Sequence, residues 1–266
     1  MVVVTSHQRD IILDAVQRMY TEVALRPRTE FHFPTGAGAC RLLGYPMSQL
    51  ERIPEAATES FAGVGYPFAT GMIGPGDVVL DIGSGSGTDA LISSLLVGPT
   101  GEVIGVDMTQ AMLEKFQANA QQMNGRNVRA LKGEAEDLPL PDESVDVVTS
   151  NGVLNLVPDK SQAVREILRV LRPHGWVQIA DIVLATAPSE ACRSQPQLWA
   201  ECIVGATTEA EYLGTFEAAG FTDVVVLSRF DYFAHSSSEE TRKVARSFGA
   251  LSMVMRARKG TAGAAK

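Results

Sequence analysis

Residues 78–89, which read VVLDIGSGSGTD, decide the fold. An apolar run typical of a buried strand reaches Asp81 and passes into a glycine-rich turn, and residues 90–97 then follow the apolar pattern of a helix. Glycines between a strand and a helix let backbone N–H groups approach a ligand closely, and the helix N-terminus adds partial positive charge beside it. This segment therefore predicts a ligand-binding turn.

The turn differs from the one that binds nicotinamide dinucleotides. Its glycines alternate at Gly83, Gly85 and Gly87, whereas the dinucleotide fingerprint needs its third glycine where Thr88 lies. Asp81, just before the first glycine, would be an unfavourable neighbour for a pyrophosphate but suits a ligand that carries an ammonium group. A nucleotide-dependent oxidoreductase is therefore disfavoured.

Composition limits the partners. The chain has 266 residues, 45% of them hydrophobic, as in an ordinary globular protein. A net charge of -8 argues against nucleic-acid binding, because no basic stripe is available to neutralise phosphates. No apolar run suits a membrane span or a signal peptide, so we expect a cytoplasmic protein. Cys40, Cys192 and Cys202 are odd in number and widely spaced, which argues against a disulfide framework.

Three parts of the chain are predicted from its patterns. Residues 1–70 form a helical extension, residues 71–258 an α/β domain, and residues 259–266 a disordered Gly/Ala tail. Within the extension, residues 8–20 carry a helical apolar stripe, and short helices are expected near residues 38–44 and 48–52. Residues 61–68 gather aromatics and glycines, and they belong either to a structural extension or to a substrate pocket.

Strand and helix signals alternate from Gly76 onward, which predicts a Rossmann-like, mostly parallel sheet with helices on both faces. A closing antiparallel pair is expected at residues 224–228 and 250–256. The other predicted strands cover residues 77–82, 102–106, 128–131, 145–149 and 176–183, and the helices include residues 161–171 and 209–219.

Acidic and amide side chains follow four of these strands. In open sheets the ligand binds at the carboxyl ends of the strands. Asp107 ends the second strand, where a carboxylate can bind both ribose hydroxyls of a nucleoside. Glu134 and Glu136 follow the third strand, with a solvated loop as the alternative interpretation, and Asn151 follows the fourth.

Four motifs follow one another along the chain: DIGSGSG at 81–87, VDMT at 106–109, LPLPD at 138–142 and VLRPHG at 170–175. Together they resemble the motifs of class I S-adenosylmethionine-dependent methyltransferases. The resemblance implies S-adenosylmethionine as cofactor and a seven-stranded sheet whose last strand is antiparallel. It places Asp81 near the methionine ammonium, Asp107 at the ribose and the Glu134 loop beside the adenine. The implied cofactor-binding residues are Asp81, Gly83, Ser84, Gly85, Gly87, Asp107, Met108, Glu134, Ala135, Glu136 and Asn151.

Three further motifs are LGYP at 43–46, SNGVLNLVPDK at 150–160 and LWAEC at 198–202. Together with VDMT they resemble, more narrowly, the arsenite methyltransferases. That family binds trivalent arsenic through cysteine thiolates, which are soft ligands. Aligned by motif, two of these cysteines fall at Val64 and Gly152, and only Cys202 matches. The implied substrate pocket contains Val64, Tyr66, Gly152, Asn155 and Cys202.

The predicted function is methyl transfer from S-adenosylmethionine to a small, organic acceptor. Arsenite methylation and a non-catalytic, cofactor-binding protein are the alternatives. In-line transfer depends mainly on alignment of donor and acceptor. An oxygen or nitrogen acceptor must also lose a proton, and the candidate bases are His32 and Asp181. We predict no metal site, and the residues indicate no particular oligomeric state.

Overall fold

The computed structural model describes residues 5–125, 127–189, 199 and 203–260. Its central sheet has the order β3-β2-β1-β4-β5-β7-β6, in which β1 to β5 pair in parallel and β7 is antiparallel to both neighbours. This confirms the predicted sheet. The strands are β1 (Val78–Ile82), β2 (Glu102–Asp107), β3 (Val128–Lys132), β4 (Val145–Asn151), β5 (Leu171–Val183), β6 (Phe221–Phe230) and β7 (Leu251–Lys259).

Helices cover both faces of this sheet and extend it at the N-terminus. The longest begins behind Thr5, which forms a reciprocal capping box with Gln8. The helices are α1 (Ser6–Leu25), α2 (Gly36–Leu42), α3 (Met47–Leu50), α4 (Glu55–Glu59), α5 (Thr88–Val97), α6 (Gln110–Gln122), α7 (Lys160–Val170), α8 (Glu209–Ala219) and α9 (Glu239–Phe248). Short 3-10 turns lie at Pro67–Thr70, Leu154–Leu156 and Tyr232–His235. None of the described helices combines the length and apolar character needed to cross a bilayer.

The core lies on both faces of the central strands. Side chains alternate along a strand, so Leu80 and Ile82 of β1 pack in one cluster with α7 and α8. Val79 packs on the other face, in a cluster with α5 and Phe116 of α6. Burying one such aliphatic side chain contributes about 1.5–3 kcal/mol. The continuous apolar run of β1 is therefore the pattern of a strand buried on both sides.

The strand order reverses between β1 and β4. The chain runs outward from β1 to β2 and β3 on one side, and from β4 to β5 on the other. Neighbouring crossovers leave in opposite directions at this point, which opens a crevice at the carboxyl ends of the two strands. The sheet thus positions a ligand site at Ile82 and Asn151.

Several predicted boundaries move. The residue 8–20 helix extends to Ser6–Leu25, and α4 and α9 were not predicted. Charged and polar residues dominate α9, and its few apolar residues lie on one face of the helix. Strand β5 begins at Leu171, before an irregularity in its pairing with β4. Lys259, placed in the predicted tail, ends β7 and donates a hydrogen bond to Leu171 O at 2.7 Å. Residues 261–266 lie outside the described residues.

Candidate cofactor and acceptor site

A cavity opens at the carboxyl ends of β1, β2 and β4. Its lining comes from the glycine turn, the loop after β3, the start of the loop after β4, helix α1 and the segment that follows α4. The predicted cofactor residues that line it are Asp81, Gly83, Ser84, Gly85, Asp107, Met108, Glu134, Ala135, Glu136 and Asn151. The sequence therefore located the cavity through residues distant in the chain.

The three turn glycines serve different purposes. A Cβ at Gly83 would lie 2.2 Å from Val153 Cγ2, and one at Gly87 would lie 2.3 Å from Phe116 Cδ2. Both glycines therefore leave room for neighbouring side chains. Gly87 was predicted to bind the cofactor, but it does not line the cavity. At Gly85, with φ +53°, a Cβ would have only Met112 Sδ, at 3.9 Å, among its non-neighbouring atoms within 4 Å. The space beside Gly85 is thus left to a ligand.

Asp81 presents a buried carboxylate to this cavity. The side chain is 2% exposed, and its Oδ2 has no hydrogen-bond partner among the described residues. Burial, followed by the charges of Asp89 and Asp107, raises the pKa of Asp81 well above its usual range. A cation beside Oδ2 would stabilise the charged carboxylate and so oppose this rise in pKa. The donor set therefore fits the ammonium group of S-adenosylmethionine, as the resemblance implies.

Asp107 connects β2 to the glycine turn. Its Oδ2 accepts from Gly85 N–H at 2.9 Å and its Oδ1 from Thr109 N–H at 2.8 Å. Burial raises the pKa of Asp107, and these two hydrogen bonds oppose the rise. Each carboxylate oxygen can accept a further donor, so the carboxylate can also bind hydroxyl groups. Its role at the ribose stays a prediction.

Helix α1 covers the side of the cavity formed by Glu134 and Glu136. Arg9 Nη2 lies 2.5 Å from Glu134 Oε2 and 2.7 Å from Glu136 Oε2. Gln17 Nε2 donates to Met108 O at 3.1 Å. Glu136 is only 8% exposed, which argues against a solvated loop at that residue. The apolar stripe predicted this helix but not its position, so the lining residues Leu13, Val16 and Tyr20 were missed.

Asn151 joins the end of β4 to the N-terminal extension. Its Oδ1 accepts from the backbone N–H groups of Val64 at 2.7 Å and Gly65 at 3.1 Å. Its Nδ2 donates to Tyr45 Oη, Gly65 O and Asp89 Oδ2, each at 2.9 Å. The side chain thus determines where the segment after α4 crosses the cavity.

Asp89 is a further lining residue that the sequence argument did not assign. Tyr45 Oη donates to its Oδ1 at 2.6 Å. Burial raises the pKa of Asp89 to about 6, although the hydrogen bonds from Tyr45 and Asn151 lower it. The sequence pattern placed Asp89 at the start of a helix, but its partners Tyr45 and Asn151 lie 44 and 62 residues away in the chain.

The predicted substrate pocket is only partly assembled. Gly152 lines the cavity, whereas Val64 is 2% exposed and does not line it. A Cβ at Gly152 would lie 3.2 Å from Val64 Cγ1, so Val64 packs directly behind Gly152. Tyr66 does not line the cavity, and its hydroxyl donates to Gln49 Oε1 at 3.0 Å. Asn155 is also behind the lining, fully buried. Cys202 lies outside the described residues.

Neither candidate base lines the cavity. His32 packs edge-on against Phe33, with ring centroids 4.6 Å apart. Asp181 is fully buried in β5, where its Oδ2 accepts from Tyr212 Oη at 2.8 Å and Asn155 N–H at 2.9 Å. Burial raises the pKa of Asp181 to about 7, against these hydrogen bonds. The geometry thus gives Asp181 the role of holding the loop after β4.

Comparison with known proteins identifies the family. A family profile described as a methyltransferase domain matches residues 73–220, more than half of the chain. The chain belongs to the S-adenosylmethionine-dependent methyltransferases. S-adenosylmethionine is the cofactor of this family. The donor set around Asp81, Gly85 and Asp107 fits that group.

The relatives of this methyltransferase include arsenite methyltransferases. That of Halobacterium salinarum is 38% identical over 192 residues, which cover 72% of this chain and 49% of the relative. The human arsenite methyltransferase is 36% identical over 152 residues, 54% of this chain and 40% of the relative. The methyltransferase thus spans about half the length of the curated relatives it matches.

Solved structures agree on the fold. An arsenic(III) S-adenosylmethionine methyltransferase from Chlamydomonas reinhardtii is 32% identical, with a TM-score of 0.65 over 87% of this chain and 75% of the other. The [4+2]-cyclase SpnF superposes on 97% of this chain and 98% of its own with a TM-score of 0.61, at 19% identity. Since SpnF is named for a cyclisation, the fold alone does not determine the reaction.

Proposed function

We propose that this protein is a methyltransferase that transfers the methyl group of S-adenosylmethionine to a small organic acceptor. The observation that carries the choice of acceptor is the contact between Val64 and Gly152. These are the two positions at which the resembling family places arsenic-binding cysteines. An aliphatic side chain and a glycine occupy them here, so neither position supplies a thiolate.

Bound S-adenosylmethionine supplies a methyl group made electrophilic by its sulfonium. The chain's own contribution is alignment, which can account for much of the acceleration of a displacement. Asp81 would hold the ammonium end, Asp107 the ribose, and the Glu134–Glu136 loop the adenine. Gly152 and Phe61 would border the acceptor. Helix α1, which covers the cavity, would exclude water.

The charge of the cavity narrows the acceptor class. Among the described lining residues, five carry carboxylates (Asp81, Asp89, Asp107, Glu134 and Glu136), and none is Lys, Arg or His. An anionic acceptor would meet repulsion there, because opposite charges are needed to offset desolvation. The apolar surface of Leu13, Val16 and Leu156 suits a hydrophobic body. A neutral or cationic, partly apolar molecule fits this lining best.

Arsenite methylation is the second candidate, and the identities to arsenite methyltransferases favour it. Binding of trivalent arsenic needs thiolate ligands. The described residues contain no group of three side chains suited to metal binding. Cys40, the thiol among them, is fully buried among Ala39, Tyr45 and other core residues, and burial raises its pKa far above the usual range. A buried, protonated thiol outside the lining cannot chelate a substrate in the cavity.

One experiment separates the two acceptors. Purified protein is incubated with S-adenosylmethionine and either arsenite with excess glutathione or a panel of neutral, cationic and anionic apolar amines, alcohols and acids. Formation of the demethylated cofactor and of methylated products is measured by mass spectrometry. We expect turnover with members of the neutral or cationic set and none with arsenite. Methylarsenicals that form with the wild type and disappear in Cys202→Ser would overturn the organic acceptor.

A further inference from the structure

The described cavity lining provides partners for the ammonium group of S-adenosylmethionine but no basic side chain for its carboxylate. The methionine end of S-adenosylmethionine carries a carboxylate as well as an ammonium, and the described lining residues include carboxylates but no basic side chain. Three basic side chains contact this lining from behind. Arg9 is paired with Glu134 and Glu136, and Lys160 donates to the backbone oxygen of Val157 beneath Trp199. The third basic side chain is Lys115.

Lys115 reaches the lining through a hydroxyl group. Its Nζ donates to Ser60 Oγ at 2.7 Å and to Ala24 O at 3.3 Å. Ser60 lines the cavity, is 2% exposed, and donates its own O–H to Val23 O at 3.1 Å. An ammonium has three N–H donors, and these two contacts use two of them. A buried serine in the cavity lining is thus joined directly to a positive charge.

The segments that carry Ser60 and Lys115 are both hydrogen-bonded to the glycine turn. Ser86 Oγ and Thr88 Oγ1 both donate to Ala57 O at 2.7 Å, three residues before Ser60 in the chain. On the α6 side, Asn119 Nδ2 donates to Ser86 O at 2.9 Å, one helical turn after Lys115. The segments that carry the serine and the lysine therefore contact the glycine turn from two separate elements.

We propose that Ser60 and Lys115 form the subsite for the carboxylate of S-adenosylmethionine, an assignment that rests on the proposed function. When the cofactor binds, Ser60 turns its single O–H from Val23 O to the carboxylate, and Lys115, which donates to the Ser60 oxygen, places positive charge behind that hydroxyl. With Asp81 at the ammonium, the two end charges of the cofactor then have opposite partners.

The electrostatics of Lys115 agree with an anion at this place. Burial lowers the pKa of Lys115, and the neighbouring charge of Glu59 opposes that change. A carboxylate in contact with Ser60 would add to the effect of Glu59 and favour the charged ammonium. The lysine is thus better stabilised with the cofactor's carboxylate present than without it.

The test compares two cofactors that differ by this one group. Calorimetry measures the dissociation constants of S-adenosylmethionine and of decarboxylated S-adenosylmethionine, which keeps the sulfonium and the ammonium. We expect the wild type to bind S-adenosylmethionine about 10- to 100-fold more tightly, the range for one hydrogen bond to a charged group. In Ser60→Ala and Lys115→Gln this ratio should fall towards one, whereas the exposed Lys243→Gln should keep the wild-type ratio.

Each outcome decides the assignment. If Lys115→Gln and Ser60→Ala weaken both cofactors by the same factor, the pair only supports the fold and the subsite is wrong. A wild type that binds both cofactors equally also overturns it, while leaving the proposed function intact. A wild type that binds neither cofactor removes the proposed function and the subsite together. The glutamine in Lys115→Gln can still form a hydrogen bond with Ser60. A fall in the ratio of the two dissociation constants in that variant therefore reports on the lost positive charge.

Discussion

Replacing Asn151 by alanine removes the connection between β4 and the segment over the cavity. The Asn151 amide is hydrogen-bonded to backbone groups of Val64 and Gly65 and to the side chains of Tyr45 and Asp89. The variant keeps these four partner residues and removes only the side-chain amide to which they are hydrogen-bonded. We therefore expect it to fold less stably and to bind S-adenosylmethionine less tightly.

The magnitude follows from the donors left behind. Val64 N–H and Gly65 N–H lose their shared acceptor, and Val64 is only 2% exposed. A buried donor without a partner costs about 1–3 kcal/mol, and water entering from the adjacent cavity can replace part of the loss. The free energy of unfolding should therefore fall by about 2–4 kcal/mol.

Urea titrations followed by circular dichroism give the change in stability, and calorimetry gives the cofactor affinity. Asn127→Ala is the matched control, because its amide donates to Gly98 O at 3.0 Å away from the cavity lining. The control should lose about 1 kcal/mol, the usual value of one hydrogen bond, and keep its cofactor affinity. Equal losses of stability in the two variants, with wild-type affinity in both, would refute the role given to Asn151.

Three further predictions concern α1, β5 and the glycine turn. Arg9→Met should speed proteolysis within α1 and weaken cofactor binding, whereas Arg18→Met, on an exposed pair, should do neither. The raised pKa of Asp181, about 7, means that its contribution to stability is present below about pH 4 and is lost as the pH rises through 7. In urea titrations from about pH 5 to 8, Asp181→Asn should therefore flatten the decline of the wild type. Gly85→Val should fold but lose cofactor binding in calorimetry, because its side chain would occupy the space left to the ligand. Gly87→Val should fail to fold, as followed by circular dichroism, because the valine side chain would clash with Phe116.

The sequence by itself determined the sheet and the place of the cavity. An apolar run buried on both faces, a turn of alternating glycines and an acidic residue at the end of the next strand are local signals. They identify Asp81, Gly85 and Asp107 because the carboxyl ends of parallel strands meet at one edge. The same local patterns gave the resemblance to methyltransferases that the comparisons confirmed.

Only the tertiary structure decided which elements cover that cavity. The ion pairs of Arg9 join residues 125 and 127 positions apart, and the contact of Tyr45 with Asp89 spans 44. Such pairings depend on how α1 and the extension pack on the sheet, and no local periodicity encodes them. For the same reason His32 and Asp181 read as candidate bases although neither lines the cavity. A strand end is determined by its own residues, whereas a residue's neighbours across the site are determined by the packing of the whole chain.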